Sequence, residues 1–506
     1  MNAENRKWWI LAAMTCSISM IFIDITVLPV ALPTIQRSLD ISELGLQWIV
    51  NAFTLALTMF VLAGGRIGDM LGLRKVFCWG LLLFTLGSAL CGLSNGETWF
   101  IVSRLIQGIG GSLLLPTSAA IIINAFPPHL RGRAMGLYVS IGSIFLALGP
   151  LLGGVFSEYL TWRLIFWINI PIAIVGFFLT LYAVPPSDGH PRRFDFRGFI
   201  TSSLAICLLV VPIMQAKDWG WTSPLTLGLI ATGIALLALL LVVDRKTKDP
   251  YLELSLFKNR TIIGTFGSIF CTQFFLMVTV FWAMYFQNVY GFTPAQAGAL
   301  SLLSNIPIIF AAPAAGWLLD RKGPLIPIML GFSLVIASLL WYLQILAIKN
   351  VWLLLSAIIP FGIAIPFILT SSFTTMLSLV PAKKRGIASG TATMVRQFGG
   401  TLGLAIFASL FIGGIETRLS KSLQSNPETA EIQVQNLEGL LSKTPEALQA
   451  IASLPAKAQE YVKESALTAT IDAFWSINAL GAAVAFMGLI FALTFIKRKM
   501  KISHEL

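Results

Sequence analysis

Residues 65–72 read GRIGDMLG and residues 316–323 read GWLLDRKG, so the frame G-x-x-x-D-x-x-G occurs twice with an offset of 251 residues. A second frame, R-G-x-A-x-G, occurs at 131–136 and again at 385–390, with an offset of 254 residues. Each copy lies where a long apolar run meets basic residues. Two frames that recur in the same order at nearly the same offset indicate a duplicated bundle of membrane helices.

The composition of the chain is that of a protein embedded in lipid. Of its 506 residues, 56% are hydrophobic and 11% are charged, with a mean hydropathy of +0.81, whereas a soluble domain carries about 25% charged residues. The five cysteines stand singly inside apolar runs, and the three histidines (His129, His190 and His504) are far apart in sequence. We therefore expect a polytopic membrane protein with no metal site and no disulfide framework.

Apolar runs of membrane-spanning length occur fourteen times. A lipid span needs about 20 apolar residues, and prolines inside such runs are tolerated as kinks. The sequence therefore predicts an all-α membrane protein with fourteen transmembrane helices, at residues 9–35, 44–66, 76–94, 99–124, 134–158, 163–184, 199–216, 225–243, 262–287, 299–319, 325–348, 351–379, 387–415 and 471–496.

Basic residues are concentrated in alternate loops. With the N-terminus inside, the inner segments contain 24 lysines and arginines, whereas the short outer loops contain four (Arg37, Arg163, Lys217 and Lys349). Cytoplasmic loops of membrane proteins carry the excess of Lys and Arg, so both termini are predicted to be cytoplasmic. The formal net charge of +12 is thus explained by topology, and we expect no nucleic-acid partner.

The repeated frames also divide the chain. Because they follow spans 2 and 10 and precede spans 5 and 13, spans 1–6 correspond to spans 9–14. We predict an N-terminal six-helix bundle at 1–184, linkers and an extra two-helix hairpin at 185–261, and a C-terminal six-helix bundle at 262–506. The last contains a long outer segment, 416–470, for which we expect short amphipathic helices over the outer mouth. A surface loop without a role is the alternative.

Several further motifs carry a resemblance to a known family. They are GGRIGDMLGLRK at 64–75, FIVSRLIQGIGG at 100–111, GSIFLALGPLLGG at 142–154, WRLIFWINIP at 162–171 and YFQNVYGFTPAQAG at 285–298. Asp24-Ile25-Thr26 followed by Ala31-Leu32-Pro33 adds a D-x-T…A-L-P element in span 1. With these motifs the chain resembles the major facilitator superfamily, specifically its fourteen-span drug:H+ antiporter branch of the EmrB/QacA type.

The resemblance implies the major facilitator fold, with two six-helix bundles and two extra central helices. It implies a proton-coupled secondary transporter, not an enzyme, that exports amphipathic small molecules or drugs across the bacterial cytoplasmic (inner) membrane by alternating access. Asp69 is expected to latch the inner face through Arg131 and Arg133. The residues assigned to this conformational switch, from the family's motifs and their internal repeat, are Gly65, Asp69, Gly72, Arg74, Lys75, Arg131, Arg133, Gly149, Pro150, Gly153, Gly154 and Asp320.

Asp24 is the only carboxylate well inside a clearly apolar span. A carboxylate at that depth is costly when ionised and usually has a function, which suits a group that takes up and releases a proton. Arg104 in span 4 needs an acceptor if it is buried. We therefore predict that Asp24 and Arg104 form the proton-coupling pair. A structural carboxylate and a static tie between helices are the alternatives.

Cargo contacts are predicted at polar and aromatic positions of several spans. Arg396 has no carboxylate near it in sequence, so we expect it either to hold an anionic group of the cargo or to bond backbone carbonyls. Packing or lipid contact is the alternative for the aromatic residues. The candidate positions are Thr26, Gln107, Gln273, Trp282, Tyr285, Asn305, Arg396 and Gln397.

The inner segments contain no phosphate-binding loop with its lysine, so we expect neither ATP drive nor a cofactor. The expected partners are a small amphipathic substrate, protons and the lipid bilayer, with a periplasmic adaptor and an outer-membrane channel as further candidates. Export of a self-made siderophore, lipid or antibiotic is the alternative within transport. A multispan membrane enzyme, such as an acyl or glycosyl transferase, is a remote alternative.

Overall fold

The computed structural model of the chain describes residues 3–186, 189, 193–215, 219–247, 249–348, 350–424 and 455–498. The secondary structure in these ranges is helical, without a strand in them. The prediction of an all-α protein is confirmed, and its physical reason is that a backbone in lipid must satisfy its own hydrogen bonds.

The first seven helices form a packed unit that we call the N-terminal bundle. α6 and α7 together make one span, Leu164–Ala183. Near the loop between α5 and α6, the Phe100 ring stacks on Trp162 with the ring centroids 5.7 Å apart. The helices are α1 (Ala3–Leu39), α2 (Glu43–Leu71), α3 (Leu73–Gly92), α4 (Glu97–Ala125), α5 (Arg131–Tyr159), α6 (Leu164–Trp167) and α7 (Asn169–Ala183).

An extra hairpin follows, made of α8 (Phe196–Met214) and α9 (Pro224–Asp244). It packs on the outside of α2, where Leu55 contacts Ile206 and Val210. The hairpin is therefore attached to the N-terminal bundle through apolar side chains.

The remaining helices form the C-terminal bundle, whose core contains many aromatic side chains. In that core Trp282 stacks on Tyr342 with the ring centroids 5.8 Å apart. The helices are α10 (Arg260–Leu276), α11 (Thr279–Val289), α12 (Pro294–Leu302), α13 (Ile306–Lys322), α14 (Leu325–Ile345), α15 (Val351–Leu379), α16 (Arg385–Gln424) and α17 (Ala456–Phe495).

Thirteen helical segments in the described ranges are long and apolar enough to cross a membrane. The tenth predicted span, 299–319, is divided, because α12 ends at Leu302 and α13 begins at Ile306. Pro307 lies in the first turn of α13, where a proline is favoured since its missing N–H is not needed there. α13 has 17 residues, so the structure differs from the fourteen-span prediction at this one segment.

The prediction for the outer segment 416–470 needs correction at both ends. Residues up to Gln424 continue α16 and residues from Ala456 onward belong to α17, and each of these helices has 40 residues. At 1.5 Å per residue each is about 60 Å long, roughly twice the thickness of the hydrocarbon layer. The two extensions pack together, with Ser422 and Ser465 hydrogen-bonded at 2.8 Å. Residues 425–454 lie outside the described ranges.

Candidate functional site

Five polar side chains meet inside the N-terminal bundle, and we call them the polar cluster. Asp24 comes from α1, Ser88 from α3, Arg104 and Gln107 from α4, and Asn169 from the start of α7. All five are buried, with at most 2% of each residue exposed. Four helices thus converge on one polar site at membrane depth.

An ion pair forms the centre of the polar cluster. Arg104 Nη1 donates to Asp24 Oδ2 at 2.6 Å and to Gln107 Oε1 at 2.7 Å, and Arg104 Nε donates to the carbonyl oxygen of Ile49 at 3.0 Å. Gln107 Nε2 donates to Asp24 Oδ1 at 2.8 Å. Both carboxylate oxygens are therefore bonded, which a desolvated charge requires.

Ser88 and Asn169 extend the polar cluster, and the sequence analysis missed them as site residues. Ser88 Oγ accepts hydrogen bonds from Asn169 Nδ2 at 3.0 Å and from Gln107 Nε2 at 3.4 Å, and it donates to the carbonyl oxygen of Phe166 at 2.8 Å. An amide side chain in an apolar span was the available signal for Asn169, because such groups seek partners on neighbouring helices. Ser88 carried no comparable signal.

α5 approaches α1 closely beside the polar cluster. A Cβ atom at Gly149 would lie 1.9 Å from Thr26 Oγ1, and one at Gly153 would lie 2.7 Å from the carbonyl oxygen of Val27. Thr26 is thus held in the contact between two helices. Gly154 faces open space instead, so it has no part in this packing. Pro150 stands inside α5 next to the contact.

The two repeated frames pair crosswise between the bundles. The Asp69 carboxylate accepts hydrogen bonds from the backbone N–H groups of Gly386 and Ile387, both at 2.8 Å, in the first turn of α16. A helix N-terminus has free N–H groups and a positive dipole, so it binds a carboxylate well. We call this contact the α2–α16 latch.

The second copy makes the same contact with the bundles exchanged. The Asp320 carboxylate accepts from the N–H groups of Gly132 at 2.9 Å and Arg133 at 3.0 Å, in the first turn of α5. We call this the α5–α13 latch. Asp69 was expected to latch the inner face through Arg131 and Arg133; the structure places the Asp320 carboxylate of the other bundle at that helix start.

Glycines allow both latches to close. A Cβ at Gly65 would lie 2.1 Å from the carbonyl oxygen of Gly386, and one at Gly316 would lie 2.0 Å from that of Gly132. The frame G-x-x-x-D therefore provides a backbone contact and a carboxylate one turn later, and R-G provides the matching helix start. This explains why both frames are present twice.

The remaining switch residues support the helix ends near the latches. Arg131 Nε donates to the carbonyl oxygens of Ile123 and Phe126, at the end of α4. Gly72 joins α2 to α3 with a φ of 99°, a conformation that favours glycine, and Arg74 Nη2 donates to the carbonyl oxygen of Leu181 at 2.9 Å. Lys75 is exposed. We call this end of the molecule the basic end.

The predicted cargo residues do not all meet. Trp282 and Tyr285 are fully buried within the core of the C-terminal bundle. Gln273 contacts α16 at Gly400, and Asn305 lies at the break before α13. The partly exposed Gln397 and Arg396 lie on α16, and the latter has its guanidinium carbon 6.0 Å from the centre of the Phe373 ring.

Comparison with known protein families matches residues 14–404 to the Major Facilitator Superfamily. The chain belongs to this superfamily. The multidrug resistance protein Stp of Mycobacterium tuberculosis (strain H37Rv) is 32% identical over 418 residues, which cover 82% of this chain and 78% of Stp. MdtP, a multidrug transporter of Bacillus subtilis (strain 168), is 28% identical over an alignment that covers 99% of this chain and 95% of MdtP.

A solved structure agrees with the fold of this transporter. The proton:xylose symporter XylE superposes with a TM-score of 0.59 at 14% identity, over 98% of this chain and 97% of XylE. The family match and the Stp alignment confirm the resemblance to the Major Facilitator Superfamily that was inferred from the motifs. The chain is a multi-pass membrane protein and a secondary transporter of the Major Facilitator Superfamily. This family membership excludes the alternative of a multispan membrane enzyme.

Proposed function

We propose that this transporter exports amphipathic small molecules, drugs among them, in exchange for protons. The names of two relatives support the cargo class: Stp is a multidrug resistance protein, and a 29% identical protein of Streptomyces glaucescens is a tetracenomycin C resistance and export protein. An endogenous siderophore, lipid or antibiotic is the alternative cargo.

The observation that carries the proton coupling is the ion pair of Asp24 and Arg104. Protonation of Asp24 removes its charge, so Arg104 loses the one anionic partner that it has among the described residues, and the hydrogen bonds that hold α1 against α4 change. Asp24 is fully buried and both of its oxygens are bonded. We therefore infer that protons act on helix packing, with no direct contact between Asp24 and cargo in this state.

The latches support a proposal for alternating access. Both lie at the basic end, and the close approach of the two bundles continues to Ser140 on α5, whose hydroxyl donates to the carbonyl oxygen of Ile309 at 2.5 Å. The structure corresponds to a state closed at the basic end. Opening requires both carboxylates to leave their helix starts, which makes the latches a two-state element.

The basic residues also support the proposed location. We place the basic end in the cytoplasm and the protein in the bacterial inner membrane, because positive loops remain inside. Both chain termini then lie in the cytoplasm, and the long ends of α16 and α17 project outward. These projections are the surfaces that a periplasmic adaptor would contact.

Transport in proteoliposomes tests the proton coupling. With an imposed pH gradient, we expect Asp24→Asn to bind a dye cargo such as rhodamine 123 but to lose at least about tenfold of its gradient-driven transport rate, because the amide cannot take up a proton. Each tenfold change corresponds to about 1.4 kcal/mol of activation free energy. Undiminished transport by Asp24→Asn would assign the proton to another residue.

Asp472→Asn is the matched control. Asp472 is an exposed carboxylate on α17, 3.9 Å from Arg418, and its loss is expected to leave transport unchanged. A wild-type protein that transports neither rhodamine 123 nor the related anionic dye fluorescein contradicts the proposed cargo class.

A further inference from the structure

Arg396 is a cation near the middle of the membrane. It lies on α16, which begins at Arg385 at the basic end, and 11 residues of helix correspond to about 16 Å. The hydrocarbon layer is about 30 Å thick, so the guanidinium stands near its centre. Charged side chains at this depth are rare and usually functional.

The chain supplies no acceptor for this guanidinium within the described ranges. Arg396 Nε is buried and donates no hydrogen bond, and no carboxylate lies within 4 Å of the group in that part of the chain. By contrast, Arg104 donates to Asp24, Gln107 and a backbone carbonyl. The Phe373 ring, 6.0 Å away, offers only about 0.5–2 kcal/mol and accepts no hydrogen bond from Nε.

The surroundings place Arg396 between the two bundles. The Tyr138 hydroxyl on α5 is 2.8 Å from Ser118 Oγ on α4. Phe373, whose ring lies beside Arg396, packs against the cluster that contains Tyr138. Tyr138 also packs in one cluster with Ala388 and Ala392, which lie on α16 between the basic end and Arg396. Arg396 therefore lies farther from the basic end than these packed apolar residues, and it is partly exposed there.

The carboxylates of the nearest helices are engaged or distant. α15 contains none, and on α16 the first is Glu416, 20 positions after Arg396. On α1, Asp24 is already bonded to Arg104. In the described part of the chain, these helices therefore supply no counter-charge for Arg396, and an anionic ligand would provide one.

We propose that Arg396 binds the anionic oxygen of an aromatic cargo, a carboxylate or a phenolate, with the Phe373 ring beside it. A guanidinium is planar and donates two parallel hydrogen bonds to such groups. This inference rests on the proposed export function and names one substrate class within its cargo: amphipathic aromatic acids.

Dye binding to the purified full-length protein in detergent tests the subsite, independently of transport. Fluorescein and rhodamine 123 share a xanthene ring system, but fluorescein is an anion and rhodamine 123 is a cationic ester. By fluorescence polarisation, we expect Arg396→Gln to raise the Kd for fluorescein at least about tenfold and to leave the Kd for rhodamine 123 unchanged or lower. Arg396→Lys keeps the charge and is expected to retain most of the affinity for fluorescein.

Equal fluorescein affinity in the wild type and Arg396→Gln overturns the subsite, and so does a wild type that does not bind fluorescein. A loss of binding of both dyes in Arg396→Gln, with an altered size-exclusion profile, assigns Arg396 a structural role and also overturns the subsite.

If fluorescein binding depends on Arg396 but a pH gradient drives transport of neither dye, the subsite stands and the export function fails. If both dyes are driven equally by wild type and Arg396→Gln, the function stands and the subsite fails.

Discussion

Asp24 and Arg104 are held together by a complete set of neighbours. The carboxylate accepts from Arg104 and Gln107, and the guanidinium also bonds the carbonyl oxygen of Ile49 and lies 4.5 Å over the Phe53 ring. Removing one partner of such a buried pair is more damaging than removing both, because the remaining charge has no counter-ion.

This asymmetry gives a stability prediction. Arg104→Met should lower the free energy of unfolding by about 3–5 kcal/mol, because it leaves Asp24 charged and buried. The double variant Asp24→Asn with Arg104→Met should be more stable than Arg104→Met alone, since no charge remains. Thermal unfolding in detergent measures both, and a double variant less stable than the single one contradicts the account.

At the level of single residues, the sequence was informative where a residue type is rare in lipid. Asp24, Arg104 and Arg396 could be selected because charges at membrane depth are exceptional. Ser88, Ser118 and Tyr138 could not, since residues with hydroxyl groups are common in such helices. The partners of each residue, 80 positions apart in the case of Asp24 and Arg104, follow only from the packing of the helices.

Among the helices, α1 and α5 approach each other beside the polar cluster, two residues after Asp24 on α1. Gly149 lets the Thr26 hydroxyl reach the α5 backbone, while Thr26 Oγ1 donates to the carbonyl oxygen of Phe22 at 3.0 Å. Small residues at such crossings allow the van der Waals packing that holds helices together in lipid.

We expect Gly149→Ala to reduce transport strongly, because the added Cβ would lie 1.9 Å from Thr26 Oγ1 and must separate α1 from α5. The double variant Gly149→Ala with Thr26→Ala lacks that hydroxyl, so it should recover part of the activity. Dye transport in proteoliposomes measures this, and Gly154→Ala is the matched control, since a Cβ there meets open space. A Gly149→Ala variant with wild-type activity removes this contact from the mechanism.

Helix boundaries were the weak point of the sequence prediction. Hydropathy located the apolar runs, but it carries no information on helix starts. The break before α13, where Pro307 favours a helix start, was therefore not predicted. The polar ends of α16 and α17 were predicted to be separate short helices. The length of a membrane span limits a helix only within the lipid, so it does not predict how far a helix continues outside it. There Leu419 and Leu423 pack against Val462, a contact between segments that are distant in sequence.

For the whole molecule, the two latches set how the bundles are joined. Each carboxylate belongs to one bundle and each helix start to the other, and both contacts are at the same end. Opening that end breaks four charge-assisted hydrogen bonds, of which each is worth about 1.5–3 kcal/mol at most. The frames were visible in the sequence, but their crossed pairing was not, because an offset says nothing about which copies meet.

Removing the latches should open the basic end. In a variant without the five native cysteines, spin labels at Met70 and Lys383 report the distance across this end. We expect Asp69→Ala to shift the distribution to longer distances, and Asp69→Ala with Asp320→Ala to shift it further, because the two contacts are separate. An unchanged distribution in the double variant shows that apolar packing alone holds the end closed.

The crossed pairing is also the geometry of a twofold assembly. If two identical half-length chains carried both frames, the carboxylate of each would bind the helix start of the other, and one surface patch would serve as its own complement. That is an isologous interface, the commonest kind in symmetric dimers. Joining two such units in one chain creates no new contact surface, but the existing contact no longer depends on protein concentration. Each copy can then change separately: the polar cluster lies in the N-terminal bundle, and Arg396 lies in the C-terminal bundle.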